Sequence, residues 1–311
     1  MRTIEASIDV GTNTMILLVA EIEHTASGRK LVKTLEDRVS YARLGEGVKK
    51  NRIFSDAAMK RAKAIFQDYA QTAKKYKATK IYSTATSASR NAMNAKEFYQ
   101  QVDSEIGIAT RIIPGDWEAY LSFIGGILPD QDPCKTAIMD IGGGSTEFVT
   151  QNNGKIVGQS TEMGCVAATE LFLRGDPYTK ESLEQLENHL RSLWKNLNHD
   201  LQNELRQKQW VGVAGTATTL AALNLKLDSF ISSRVDGHVL DRCSIADWYE
   251  ALAIQKQYQR EREDLIGPGR ADIMVAGVLI LLTAMEVFEK EEIIVSSRGL
   301  RHGVLIRPEV G

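Results

Sequence analysis

The chain has 311 residues, of which 43% are hydrophobic and 25% charged, and these ordinary fractions exclude wholesale disorder. The length is long for one hydrophobic core and suits two domains. With 38 basic and 40 acidic side chains, the formal net charge is −2, which excludes the global basic field that drives nonspecific nucleic-acid binding. A polyanionic ligand would therefore have to be attracted locally.

The cysteines and the apolar segments exclude several further classes. Cys134, Cys165 and Cys243 are widely spaced and form no C-x-x-C pattern, so they indicate neither a disulfide framework nor a zinc site. We expect core or near-core thiols in a reducing compartment. The N-terminal "MRTIEASIDV" lacks the uncharged stretch of a signal peptide, and the most apolar segment, residues 273–285, is shorter than the roughly 20 residues that span a bilayer. These features predict a cytoplasmic protein with no nucleic-acid or membrane partner.

The first part of the chain begins with strands. "IEASIDV" and "MILLVAEIE" predict two strands joined by the tight polar turn "GTNT", and "KLVKTLEDRVSYARL" predicts a third strand. From Ser55 the apolar residues recur at spacings of three and four, which predicts a helix with one buried face and Ser55 as its N-cap. A short strand, residues 80–84, leads into another helix. "ATRIIPGDWEAYL" then predicts a strand, a turn at Pro114-Gly115 and a helix.

The second part repeats the opening pattern after a boundary near residues 122–134. "CKTAIMDIGGGSTEFVT" predicts a strand, an aspartate, a glycine-hydroxyl turn and a second strand. Charged helices are expected over residues 180–209, followed by a strand and helix in "WVGVAGTATTLAAL", a buried helix over residues 273–285 and a last strand in "EIIVSS". The alternation favours α/β lobes, and the shared turn indicates a duplication. We predict lobes at residues 1–124 and 125–311, with the last helix able to pack back on the first lobe.

Three turns that follow strands combine glycines with hydroxyl side chains, at residues 9–14, 140–146 and 214–219. Converging backbone N–H groups, joined in the third turn by a helix N-terminus, bind phosphate oxygens. None is a P-loop, because G-x-x-x-x-G-K-[ST] does not occur. Each turn alone has an ordinary structural explanation, but together they predict phosphate binding. The candidate residues are Gly11, Thr12, Asn13, Thr14, Gly142, Gly143, Gly144, Ser145, Thr146, Gly215 and Thr216.

Three acidic residues border the first two turns. Asp9 and Asp140 precede the turns at matching positions, and Glu147 follows the second. Their carboxylates are hard oxygen ligands of the kind that Mg²⁺ uses while it keeps waters and substrate phosphates. The alternative is that each aspartate caps its own turn.

Other charged residues have two explanations each. Glu118 lies at the start of a predicted helix, where an acid complements the helix dipole. Arg43, Arg90 and Arg270 are either phosphate clamps or solvated surface charges, and sequence spacing alone does not decide between these roles.

As a set, these motifs resemble the exopolyphosphatase and guanosine pentaphosphate phosphohydrolase (Ppx/GppA) family of the actin, sugar kinase and chaperone ATPase superfamily. The resemblance rests on "SIDVGTNT", "RLGEGV", "STATSASRNA", "IIPGDWEA", "MDIGGGSTEF", "MGCVAATE", "VAGTATTLAAL", "GRADIMVAGVLIL" and "VSSRGLRHGVL", which follow the family order over essentially the whole chain. It implies two ribonuclease H-like lobes with an active-site cleft between the domains.

The resemblance also implies a reaction, the removal of a terminal phosphate from inorganic polyphosphate or guanosine pentaphosphate. It implies that Glu118 orients or deprotonates the attacking water and that Asp140 and Glu147 lie at the metal, with Asp9 as a third acid. Arg90 would contact phosphate, and Arg270 is a weaker match. The expected ligands are Mg²⁺ or a similar divalent cation and polyphosphate or guanosine penta- or tetraphosphate. A homodimer is left open.

Two positions depart from the family pattern, and two other functions stay open. Trp117 stands where an acid commonly precedes Glu118, and Pro114 stands where a serine is common, which puts the electrostatics near Glu118 in question. One alternative is a kinase on the same scaffold, for which we find no sign of an adenosine pocket or acceptor site. The other is a sensor that binds polyphosphate or guanosine tetraphosphate without hydrolysis, which the retained acids argue against.

Overall fold

The protein consists of two compact units, each built on its own sheet. The structure is a computed structural model that describes residues 1–26 and 28–307. Unit 1 comprises Met1–Gly125 together with the C-terminal segment from Gly299, and unit 2 comprises Gly126–Arg298. The predicted α/β class with two lobes is confirmed.

The sheet of unit 1 has five strands in the order β3-β2-β1-β4-β5. The antiparallel strands are β1 (Arg2–Val10), β2 (Thr14–Thr25) and β3 (Gly28–Tyr41), and β4 (Lys80–Ala85) and β5 (Thr110–Ile112) run parallel to β1. Because β1, β4 and β5 are parallel, their carboxyl ends meet at one edge of the sheet. The turns after these strands therefore lie side by side.

Five helices follow β3, β4 and β5 in the first part of the chain. They are α1 (Val48–Asn51), α2 (Asp56–Lys75), α3 (Ser87–Asn91), α4 (Ala95–Ile106) and α5 (Gly115–Gly126). Ser55 accepts a hydrogen bond from the Ala58 amide, which confirms it as the N-cap of α2. The buried face of α2, which includes Phe66 and Tyr69, packs in one core with Ile8 of β1.

The sheet of unit 2 has six strands in the order β10-β11-β9-β6-β7-β8. The antiparallel strands β6 (Thr136–Ile141), β7 (Thr146–Asn152) and β8 (Lys155–Thr161) follow a short 3₁₀ turn at Pro133–Lys135. Strands β9 (Gln209–Val213) and β11 (Glu292–Val295) are parallel to β6, and β10 (Val239–Asp241) pairs with β11. The order β8-β7-β6-β9-β11 repeats that of unit 1, as a duplication would produce.

Eight helices surround the sheet of unit 2. They are α6 (Cys165–Phe172), α7 (Lys180–Lys195), α8 (His199–Gln207), α9 (Ala214–Asn224), α10 (Ser232–Val235), α11 (Arg242–Ala253), α12 (Gln257–Arg260) and α13 (Met274–Val287). Helix α13 is buried along nearly its whole length, as its composition predicts. In the described part of the chain, no helix combines the length and the apolar character needed to cross a bilayer.

Aromatic side chains fill the centre of unit 2. The Phe148 ring lies 5.2 Å from Trp194, 5.8 Å from Trp210 and 5.7 Å from Phe288, measured between ring centroids. Such tilted and edge-on pairs add to the stability that burial itself provides. The expectation of core thiols is wrong for two cysteines: Cys165 is buried, but Cys134 and Cys243 are exposed.

The last helix, α14 (Leu300–Ile306), belongs to unit 1. The Ser7 hydroxyl donates to the Arg301 carbonyl oxygen at 2.7 Å, and the Arg301 guanidinium donates to both Asp37 carboxylate oxygens at 2.9 and 2.8 Å. Because Ser7 and Ile8 alternate on β1, α14 lies on the sheet face opposite α2. A Cβ added to Gly303 would lie 2.1 Å from the Leu121 carbonyl oxygen, so glycine allows α14 to pack closely on α5.

Candidate functional site

The β1–β2 and β6–β7 turns have the same local geometry. Gly11 N–H donates to the Thr14 carbonyl at 2.9 Å, and Gly142 N–H donates to the Ser145 carbonyl at 3.0 Å. A Cβ at either glycine would approach that carbonyl to 3.0 or 3.1 Å, closer than most side chains come. A side chain at the glycine that opens each turn would therefore force the turn to shift by a few tenths of an ångström.

In unit 2, the carbonyl oxygens of the glycine turn cap helix α6. The Cys165 amide donates to the Gly142 carbonyl at 3.0 Å, and the Val166 amide donates to the Gly143 carbonyl at 2.8 Å. Within the described residues, the amides of Gly143 and Gly144 donate to no main-chain carbonyl. Because the carbonyls are occupied and these two amides are not, the turn has the polarity of an anion-binding nest.

In unit 1, the "RLGEGV" segment covers the carbonyls of the corresponding turn. The Arg43 amide donates to the Asn13 carbonyl at 2.9 Å, and the Gly45 amide donates to the Thr12 carbonyl at 2.8 Å. A Cβ at Gly45 would lie 2.0 Å from the Thr12 side chain, so only glycine permits this contact. Arg43 has a φ of 51°, an uncommon conformation for a residue with a side chain. The segment thus holds the first turn as α6 holds the second.

Asp140 and Glu147 face each other across strands β6 and β7. Glu147 is buried, and the Ser160 hydroxyl on β8 donates to one of its carboxylate oxygens at 2.6 Å. Directly opposed residues share a face with Cβ atoms about 5 Å apart, and two like charges so placed destabilise a sheet. A divalent cation between the two carboxylates would remove that cost.

The donor set also fits the coordination of Mg²⁺. Among the described residues, no three His, Cys, Asp or Glu side chains gather as a metal-binding group. Two carboxylates nevertheless suffice for Mg²⁺, which usually keeps several waters and binds substrate phosphates. Asp9 lies in unit 1, so its assignment to the same ion stays a prediction.

Asp9 has a buried hydroxyl as its neighbour on the sheet. It pairs in register with Thr84 of β4, and the two side chains share a face. The Thr84 hydroxyl is buried and has no hydrogen-bond partner among the described residues. A buried polar group left unsatisfied costs about 1–3 kcal/mol, which a ligand or water beside Asp9 would recover.

Glu118 and Arg90 form an ion pair at the carboxyl ends of β4 and β5. They are 28 positions apart in the sequence, yet the Arg90 guanidinium donates to the Glu118 carboxylate at 2.6 Å and to the Ile113 carbonyl at 3.1 Å. Glu118 is only 7% exposed. Arg90 follows β4, Glu118 follows β5, and the two strands are parallel neighbours. The strand order therefore brings both residues to one place.

Trp117, which departs from the family pattern, has a structural partner. The Arg111 guanidinium lies 4.4 Å from the centre of its ring, a cation–π contact. The same ring packs against a small cluster that contains Ile113, Leu121 and Val304. The tryptophan is thus held by packing and by Arg111, and Arg90 is a positive charge that contacts Glu118.

In the third turn, Arg270 lies directly on the backbone of Gly215. A Cβ at Gly215 would lie 1.4 Å from a terminal guanidinium nitrogen of Arg270, which leaves room for a hydrogen atom only. Gly215 is in the first turn of α9, whose N-terminal amides and dipole attract anions. Ala214 has a φ of 63°, a strained conformation of the kind common at functional sites. The turn therefore combines a guanidinium with a helix N-terminus.

Cys165 lies near this turn but is not a nucleophile. Burial raises the pKa of its thiol to about 11, and the nearby positive charge of Arg270 offsets part of that effect. The thiol is therefore protonated at neutral pH and acts as a small packing group.

Comparison with known proteins decides the family. Residues 19–309 match the model of the Ppx/GppA phosphatase family. The chain belongs to this family. It is 28% identical to exopolyphosphatase 2 of Mycobacterium tuberculosis over 97% of both chains. It is 31% identical to a bifunctional 3-dehydroquinate synthase/phosphatase of Fusobacterium nucleatum, covering 97% of this chain but only 46% of that protein.

Solved structures of the Ppx/GppA family agree with the fold. The Aquifex aeolicus family member superimposes with a TM-score of 0.79 at 27% identity, over 100% of this chain and 98% of that chain. The predicted family and its two-lobed fold are therefore confirmed.

Some residues that surround the candidate site are absent from the sequence predictions. Ser160, Thr84 and Gly45 contact or neighbour candidate residues, but none stands beside one in the sequence. Strand alternation could have identified Ser160 only once the strand register was known. Gly45 and Thr84 lie in motifs that carry the family resemblance, "RLGEGV" and "STATSASRNA", and this was the available signal.

Proposed function

We propose that this family member is a phosphohydrolase that releases the terminal phosphate of inorganic polyphosphate or of guanosine pentaphosphate. The observation that carries the proposal is the 2.6 Å ion pair between Arg90 and Glu118. It puts a cation that can bind a phosphate oxygen beside a carboxylate that can orient a water. The name of the Mycobacterium tuberculosis relative, exopolyphosphatase 2, supports polyphosphate as a substrate.

In the proposed reaction, Glu118 acts on the attacking water. A phosphate oxygen of the substrate takes the place of Glu118 as the partner of Arg90, and the carboxylate then accepts a proton from the water. The water oxygen bonds to the terminal phosphorus, and the bond from this phosphorus to the bridging oxygen breaks. That oxygen keeps the electron pair, so orthophosphate and a shortened chain result. Such transfers depend mainly on positioning and charge stabilisation, which the turns and the arginine provide.

We assign a divalent cation such as Mg²⁺ to Asp140 and Glu147, with Asp9 as a further predicted ligand. When bound, the cation neutralises charge on the phosphate oxygens. Ser160 fixes the orientation of the Glu147 carboxylate through its hydrogen bond of 2.6 Å. In this proposal Asp140 is a metal ligand and, through the cation, a catalytic group.

A basic segment, residues 43–52, supports a substrate with several phosphates. Its start is bonded to the first glycine turn, and near its end the Arg52 guanidinium donates to the Asn91 side chain at 3.3 Å, one residue after Arg90. Its single acid, Glu46, pairs with Arg61 at 3.4 Å. An anchored excess of positive charge attracts a polyanion locally, although the whole chain is nearly neutral. Its basic residues are Arg43, Lys49, Lys50 and Arg52.

The test is a phosphate-release assay in Mg²⁺ that compares long polyphosphate, tripolyphosphate, guanosine pentaphosphate and ATP. Glu118→Gln keeps the shape of the side chain but cannot accept a proton, so we expect turnover to fall about 10²- to 10⁴-fold. The matched control is Asp116→Asn, which removes an exposed acid from the same first turn of α5. It should keep nearly full turnover.

Each alternative function has its own result in this assay. An undiminished rate in Glu118→Gln would contradict the role assigned to Glu118. An equal loss of turnover in Asp116→Asn would mean that the loss comes from removing negative charge at the start of the helix. Phosphate transfer from ATP to a small acceptor would favour a kinase. Ligand binding without phosphate release would establish a sensor.

A further inference from the structure

A fully buried arginine, Arg260, contacts the loop that carries Arg270. Arg260 is 1% exposed. Its Nε donates to the Ala271 carbonyl at 2.7 Å, and one terminal nitrogen donates to the Leu252 carbonyl at 3.2 Å and to the Gln255 carbonyl. It therefore ties the C-terminal end of α11 to the residue that directly follows Arg270.

The burial of Arg260 is costly without a compensating acid. Among the described residues it makes no ion pair, and its hydrogen bonds go to main-chain carbonyls. Burying a guanidinium carries a large desolvation penalty, and a well-packed apolar side chain often replaces such a group without loss of stability. The carbonyl acceptors of Arg260 offset part of this penalty, and one of them, that of Ala271, lies in the loop that carries Arg270.

Tyr178 fixes the same loop at the next residue. Its hydroxyl donates to the Asp272 carbonyl at 2.5 Å, and the Arg260 guanidinium lies 5.2 Å from the centre of its ring. Burial raises the pKa of the Tyr178 phenol, so the hydroxyl remains a donor at neutral pH. Two side chains in contact with each other thus hold the two carbonyls that follow Arg270.

The Arg270 guanidinium lies in close contact with the backbone of Gly215. Because a Cβ at Gly215 would overlap this guanidinium, the side chain lies against bare backbone at the N-terminus of α9. The place of the guanidinium therefore depends on where the loop holds the Arg270 backbone. A misplacement of about one ångström can lower the rate of an enzyme about 10²-fold.

We propose that Arg260 and Tyr178 are positioning residues that hold the Arg270 guanidinium against Gly215, where it binds a phosphate group of the substrate. This inference rests on the proposed function, because it gives Arg270 a phosphate partner. Neither positioning residue touches the substrate. Their effect is transmitted through the carbonyls of Ala271 and Asp272.

The test uses Tyr178→Phe, which removes one hydroxyl, and Arg260→Lys, which keeps the charge but loses the planar fork of donors. With tripolyphosphate in Mg²⁺, we expect kcat/KM to fall about three- to tenfold for Tyr178→Phe, the usual effect of one hydrogen bond, and further for Arg260→Lys. The control is Tyr76→Phe, which removes a phenol that donates to Glu36 at 2.9 Å at the end of α2. It should leave kcat/KM unchanged.

A double-mutant cycle separates positioning from a purely structural role. If both residues act through Arg270, then Tyr178→Phe should have no further effect in an Arg270→Gln background. An equal loss in both backgrounds, or no loss in either, would overturn the inference while the proposed function stood. If the wild-type protein released no phosphate, the proposed function would fail, and the same cycle on the dissociation constant of tripolyphosphate would still test the positioning.

Discussion

Replacing Gly215 with alanine should disable the third turn without harming the fold. Gly215 does not have a left-handed φ, so its backbone accepts a side chain. Alanine is favoured over glycine in a helix by up to about 1 kcal/mol, and the residue lies in the first turn of α9. We therefore expect Gly215→Ala to unfold at a temperature no lower than that of the wild type.

The magnitude of the activity loss follows from the displacement of Arg270. The added Cβ would lie 1.4 Å from the nearest guanidinium nitrogen and 2.3 Å from the guanidinium carbon. Ordinary contact needs about 3.5 Å, so the guanidinium must move by roughly 2 Å. A charge-assisted hydrogen bond contributes about 1.5–3 kcal/mol. Losing one such bond to phosphate should lower kcat/KM by about 10- to 150-fold.

The assay is phosphate release from tripolyphosphate in Mg²⁺, measured for Gly215→Ala, Arg270→Gln and the double variant. Because the alanine acts by displacing Arg270, the double variant should be no worse than Arg270→Gln alone. Wild-type kcat/KM in a folded Gly215→Ala protein would refute the reasoning. So would a full additional loss in the Arg270→Gln background, since the alanine would then act without Arg270.

Three further predictions concern charge and burial. Replacing Lys49, Lys50 and Arg52 together with glutamine should raise KM for long polyphosphate more than for tripolyphosphate and weaken its salt dependence, because each phosphate contact releases counterions. Burial raises the pKa of Glu5, but hydrogen bonds and nearby positive charge outweigh it, so the folded pKa lies below the ordinary 4.5. The advantage of wild type over Glu5→Gln in unfolding free energy, measured in urea, should therefore be constant from pH 7 down to about that value and shrink as the pH falls further. Cys165, with its raised pKa, should resist a thiol reagent that labels the other two cysteines, as mass spectrometry would detect.

Each of these predictions has a control or a contrary result. For the basic segment, the control is a triple glutamine variant of Lys74 and Lys75, in the last turn of α2, and Lys77, just after it, at the opposite edge of the sheet near the start of β4. An equal rise in KM in this control variant would mean that the effect comes from the net charge of the protein and not from the basic segment. A pH-independent difference for Glu5→Gln, or rapid labelling of Cys165 in the folded protein, would contradict the other two.

Much of the local structure could be predicted from the sequence, because periodicity and turn chemistry act over short distances. The spacing of apolar residues after Ser55 correctly predicted α2 and its cap, and the continuous apolar run correctly predicted the buried helix α13. The paired Asp-x-Gly turns correctly indicated hairpins after β1 and β6. The cysteines were a failure, because two of the three proved exposed, and spacing carries no information about burial.

The sequence by itself determined the strands, helices and turns of this protein and the family to which it belongs. Only the tertiary structure decided which distant residues meet: Arg90 with Glu118 through the order of parallel strands, and Asp140 with Glu147 through strand register. It also placed Arg270 against Gly215, and no periodic pattern around either residue predicts this contact. The physical reason is that hydrogen-bonded turns and amphipathic faces are properties of neighbouring residues. The meeting of two remote side chains instead depends on sheet order, register and the close approach of backbones, which are set when the whole chain packs.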